Sequence, residues 1–128
     1  MKKDNRNNIK ELNVYTESLR FSNKIWDICS KWDSFEKKTI GQQLVRSSDS
    51  ISANIAEGYG RFHYKENLKF CYYSRGSLEE TRDWLRKAFH RKLIPDNAKD
   101  DIEIFLEKFP ISLNSYIKYI RKCINENN

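Results

Sequence analysis

Apolar side chains recur along this chain at three- and four-residue steps in four separate stretches, which is the period of one helix face. Over about 12–31 the stripe is Tyr15, Leu19, Ser22, Trp26, Cys29 and Trp32, flanked by Ile25 and Ile28. Asp33-Ser34-Phe35-Glu36 interrupts it and supplies capping groups for a second stretch. That stretch, about 37–57, repeats Ile40, Leu44, Ser47 with Ser48, Ile51 and Ile55. Gly58-Tyr59-Gly60 is expected to stop it, with Gly58 in the left-handed conformation that glycine adopts cheaply. A third stretch, about 64–91, places Leu68, Cys71, Tyr72, Arg75, Leu78, Arg82, Leu85 and Phe89 at helical spacing. After Pro95-Asp96-Asn97, the fourth runs over about 96–125 through Ile102, Phe105, Phe109, Leu113, Tyr116, Ile120, Cys123 and Ile124. Pro110 lies inside it and should kink the helix or divide it in two. Residues 1–11 and 126–128 are expected to fray. Four amphipathic segments with short connections predict an all-α, antiparallel up-down-up-down four-helix bundle, one domain over 1–128.

Composition narrows the picture. With 4 glycines and 2 prolines the chain lacks the punctuation of a β-sandwich or barrel, and 13% aromatics is too many for a disordered chain. No apolar run is long enough to span a membrane, and the polar start has no secretory pattern. Cys29, Cys71 and Cys123 are far apart, odd in number and set within apolar stripes, so they read as core residues in a reducing, cytoplasmic protein. His63 and His90 stand apart from one another and from the cysteines, so neither a metal nor another cofactor is expected. No Ser-His-Asp set, phosphate loop or Glu-x-x-His pattern is present, and Gly58-Tyr59-Gly60 lacks the strand that a dinucleotide loop needs. The reading is non-enzymatic.

Charge is distributed unevenly. The net charge is +6, and the bundle topology sorts the side chains to two poles. At the end joining helices one to two and three to four, seven bases meet seven acids. At the other end ten bases face five acids, and Tyr59, Phe62, His63, Tyr64, Tyr72, Tyr116 and Tyr119 lie nearby. Cations among aromatics suit phosphate contact with stacking on unpaired bases, so Arg61, Lys65, Lys69, Lys118, Arg121 and Lys122 are the candidate nucleic-acid residues. RNA and DNA are equally compatible with this pattern.

The run from Ser47 to Gly60 is unusually small and polar for a helix. Glu57 sits in a last helical turn, where the dipole disfavours an anion. Small side chains permit close approach, so a tight seam is expected between Ser47, Ser50, Asn54, Glu57 and Gly58 of helix two and Gly76, Ser77 and Glu80 of helix three. Arg61 or Arg75 would neutralise Glu57.

Ser50-Ile51-Ser52-Ala53-Asn54-Ile55-Ala56-Glu57-Gly58, then Arg61, then Gly76-Ser77-Leu78-Glu79-Glu80 resembles the signature of the 23S rRNA-intervening-sequence family over roughly 12–124. That group includes the accessory variability determinant of diversity-generating retroelements. The resemblance implies a homopentamer, a barrel of bundles with a basic surface. In the retroelement branch it also implies binding of nucleic acid and of a reverse transcriptase. Arg75, where the pattern has a small apolar residue, and Pro110 depart from it. Five copies of a +6 chain would carry about +30, enough for salt-sensitive, sequence-independent phosphate binding. The alternative is a protein-interaction scaffold, an accessory subunit for a reverse transcriptase or another partner, without direct nucleic-acid binding. For self-assembly, Phe21, Trp26, Trp32, Phe35, Phe62 and Trp84 exceed what four inner stripes need, and some should lie outside the core.

Overall fold

In the computed structural model, which describes residues 8–126, helices α1 (Asn13–Ser30), α2 (Gln42–Tyr59), α3 (Tyr64–His90) and α4 (Asp96–Glu126) form a four-helix bundle without strands among the described residues. Successive helices pack side by side and α4 closes against α1, which is the up-down-up-down order. A short helical turn, Ser34–Glu36, and a π-helical turn, Lys37–Gly41, lead into α2. Residues 8–11 do not fray: Asn8 caps a 3-10 turn, Ile9–Glu11, by accepting a bond from the Lys10 amide. At the far end Glu126 is still helical. The rest of the two termini lies outside the described residues.

The core selects a different stripe from the expected one on two helices. On α1 the buried set is Val14, Ser18, Phe21, Ser22, Ile25, Ile28 and Cys29, which turns Leu19 and Trp26 outward. Both stripes have the same four-three spacing. The buried face includes two serines, Ser18 of the inner stripe and Ser22 of the expected one, whose hydroxyls are satisfied by their own helix, Ser18 bonding the Val14 and Tyr15 carbonyls and Ser22 that of Leu19. On α3 the buried set is Tyr64, Asn67, Cys71, Ser74, Leu78, Thr81, Leu85 and Ala88, leaving Tyr72 and Arg75 on the surface. The α2 stripe is buried as expected, and all three cysteines lie in the core. Phe21, Phe105 and Phe109 stack in succession between α1 and α4, with centroids 3.9 and 4.8 Å apart.

Pro110 does not divide α4. Its missing N–H would orphan the Leu106 carbonyl one turn earlier, and Arg82 of α3 donates to that oxygen at 2.6 Å. Glu79 faces the Arg82 Nε at 3.2 Å as an ion pair rather than an aligned hydrogen bond. Gly58 does not stop α2 either. No glycine has positive φ, and α2 runs on to Tyr59. A left-handed residue does occur, but it is Lys92 (φ 60°), where the Leu93 amide reaches back to the Ala88 carbonyl to close α3.

Candidate nucleic-acid interface

The small polar run of α2 splits between two faces. Its inner side does form a seam with α3: Thr81 donates to the Ser47 hydroxyl at 3.0 Å, Ser74 to the Ile51 carbonyl at 2.8 Å, and Asn54 to Ser77 at 3.4 Å. Gly58 is the point of closest approach, since a Cβ there would stand 2.6 Å from the Asn67 Oδ1 and 2.8 Å from the Phe70 Cβ. Four expected seam residues are not in it. Gly76 is exposed with nothing within 4 Å of where its Cβ would be. Glu57 is exposed and pairs with Arg61 at 4.0 Å, Glu80 accepts a bond from Trp84, and Ser50 bonds the Arg46 carbonyl of its own helix. The periodicity explains these misplacements: Ser74 and Thr81, rather than Gly76 and Glu80, share the face of Leu78 and Leu85.

Outside the seam, Ser50 and Ala53 instead line a groove of about 660 Å³ between α1 and α2. Trp26 (59% exposed) lines it from α1, and Val45, Arg46 and Asp49 line it from α2. Partial burial raises the Asp49 carboxyl above its usual range. Phe35, in the turn before α2, and Phe62, before α3, are also exposed. Phe21 is buried, and Trp32 and Trp84 are half-buried, with the Trp32 indole donating to the Leu93 carbonyl at 2.9 Å.

The antiparallel packing brings the first turns of α3 beside the last turns of α4, and all six candidate cations are exposed there. Their environments differ. Arg61 is held by Glu57 and by Glu66 (3.9 Å), and stacks over Phe70 at 4.8 Å. Lys122 lies 3.9 Å from Glu126. Lys65, Lys69, Lys118 and Arg121 have no carboxylate within ion-pair distance among the described residues. Lys65 stands in the first turn of α3, where the helix dipole is positive, so it raises the local potential at a cost to the helix. Lys118 and Arg121 stand short of the last turn of α4, which holds no basic residue, so they gain nothing from its dipole.

Arg121 donates to the Tyr72 hydroxyl, which fixes it against α3. Arg75 belongs to this surface rather than to the α2–α3 seam. It donates to the Asn114 Oδ1 at 2.7 Å, and its guanidinium carbon lies 5.4 Å from the centre of the Tyr72 ring. Sequence reasoning placed Tyr72 near the pole but missed Arg75 and Asn114. The three-residue steps Lys69, Tyr72, Arg75 would have shown the shared face. Among the described residues no group of three His, Cys, Asp or Glu side chains is placed to hold a metal ion, and no helix is long and apolar enough to cross a membrane. The family model described as 23S rRNA-intervening sequence protein matches residues 10–115. No curated protein matches the chain.

Proposed function

The chain belongs to the 23S rRNA-intervening sequence protein family, and on that premise we propose that it is a cytoplasmic, non-enzymatic, homo-oligomeric nucleic-acid-binding protein. It contacts phosphates without regard to sequence through the α3–α4 end of the bundle, and five copies is the number that the family resemblance implies. One observation carries the reading: Lys65 and Lys69 early in α3 and Lys118 and Arg121 late in α4 are all exposed, with no acid neutralising them among the described residues. Structural cations tend to be paired or spread over solvated faces, whereas an unneutralised cluster on two adjoining helices attracts a polyanion.

The reading is tested by measuring affinity for a labelled oligonucleotide between about 50 and 300 mM salt. The logarithm of the binding constant should fall steeply and linearly with that of salt concentration. Affinity that is flat over this range refutes phosphate contact. The triple variant Lys118→Gln, Arg121→Gln, Lys122→Gln should bind more weakly with unchanged helicity. A second reading, a scaffold for a protein partner such as a reverse transcriptase, is favoured by the groove beside Trp26. It predicts a partner retained after nuclease treatment and no direct nucleic-acid binding.

A further inference from the structure

The two arginines beside Tyr72 form an arrangement that ordinary stability does not account for. Arg75 and Arg121 come from different helices, yet their guanidinium carbons lie 5.4 and 5.7 Å from the centre of one tyrosine ring. Two like charges gathered on one ring repel. Among the described residues no carboxylate relieves them, since Arg75 bonds only the Asn114 amide oxygen and Arg121 only the Tyr72 hydroxyl. Each guanidinium has five N–H donors. One hydrogen bond apiece leaves most of them without a hydrogen-bond partner among the described residues, with the charge held in place rather than waving on a free side chain.

We propose that Tyr72, Arg75 and Arg121 are a pre-positioned clamp for the phosphodiester backbone of single-stranded nucleic acid. This rests on the nucleic-acid reading above and names the class of strand that the same surface takes. Guanidinium pairs match the planar, bidentate geometry of phosphate oxygens, and a clamp already ordered loses little side-chain entropy on binding. Lys65, Lys69, Tyr72 and Arg75 follow one another at four, three and three residues along the outer face of α3. That row is about 15 Å long at 1.5 Å per residue. It is one line of cations, matched to consecutive phosphates of a single strand. Tyr72 itself, 36% exposed within this row, offers a ring on which an unpaired base can stack, which paired bases would not use.

The experiment compares binding of an unstructured 12-nucleotide polyuridylate and of a 12-base-pair duplex by fluorescence anisotropy across a salt series. The proteins are the wild type, Arg75→Gln/Arg121→Gln, Tyr72→Phe, and a charge-matched control, Arg86→Gln/Arg91→Gln, at the balanced pole. Far-ultraviolet circular dichroism checks that each is folded. The clamp predicts that the arginine double variant binds the single strand on the order of tenfold more weakly at 0.1 M salt, with a salt slope shallower by about 1.4, two phosphates at about 0.7 each. Tyr72→Phe, which keeps every charge, should lose a few-fold in affinity at an unchanged slope, and the control should behave as wild type. If the arginine variant matches the control, or if the duplex binds more tightly than the single strand, the clamp is overturned while the broader reading stands. Absence of any wild-type binding at 50 mM salt overturns both.

Discussion

Gly58 and Gly76 both sit inside helices, yet substitution should move stability in opposite directions. A methyl group at Gly58 would press into the Asn67 side chain and the Phe70 Cβ, contacts too short for real Cβ atoms. Gly58→Ala should therefore destabilise by about 1–2 kcal/mol even after the gain in helix propensity. At Gly76 a Cβ would meet nothing, so Gly76→Ala should stabilise by up to about 1 kcal/mol, and urea unfolding of the two variants measures both. The sequence marked both positions as special without separating them, because a missing side chain records close approach only when the facing helix is known. Proton linkage is a second residue-scale effect. Burial pushes the Cys29 thiol from 9.0 up to about 12, and burial likewise raises the half-buried Tyr116 hydroxyl, partly offset by the bond donated from Asn67. Above about pH 9 the unfolded chain loses protons that the folded chain retains, so stability falls as pH rises from there towards 12. Melting temperatures at pH 7, 9 and 10.5 should show that decline, and Tyr116→Phe should lessen it.

At the scale of the helices, number, order and direction were legible from periodicity and from the Pro95 break, whereas which stripe faces inward was not. Two stripes one residue apart share the same spacing on α1, and the inner one carries Ser18, whose hydroxyl becomes apolar in effect by bonding its own backbone. The expected division of the helix at Pro110 was sound chemistry applied to an isolated helix. Arg82 reaches across from α3 and takes the carbonyl that proline leaves unpaired. That compensation is a contact between helices, and no local pattern announces it. It yields a double-mutant cycle. Arg82→Met should destabilise by about 1–3 kcal/mol, the cost of an unsatisfied buried carbonyl. In a Pro110→Ala background, where residue 110 regains its N–H, the same change should cost much less. Equal costs in both backgrounds would show that Arg82 acts through Glu79 or through packing instead. The α3 terminus gives a smaller test: Lys92 adopts φ 60°, so Lys92→Gly should relieve strain and raise the melting temperature.

Taken whole, the molecule separates two kinds of surface. Lys65, Lys69, Lys118 and Arg121 stand where α3 begins and α4 ends, while the groove lined by Ser50 and Ala53 opens between α1 and α2, beside Trp26 and with Lys37, two residues past Phe35, on its lining. Half of the six surplus aromatics are exposed, and Trp26 and Phe35 are 59% and 74% accessible. Single exposed apolar residues are ordinary, but Trp26 on an apolar groove, with Phe35 two residues before its lining Lys37, makes a surface suited to burial against another copy. The two surfaces lie apart, so self-assembly through the groove would leave the cationic ends open and multiply them on one particle. The coupling can be measured. Trp26→Ser/Phe35→Ser removes side chains that a lone bundle does not bury, so helicity and unfolding free energy of the chain should change little, while molar mass from light scattering drops. Nucleic-acid affinity should drop with it, because several tethered basic ends bind one polyanion far more strongly than a single end does. A wild-type chain that is monomeric at micromolar concentration would break this link, and the basic end would then have to bind with the charge of one copy.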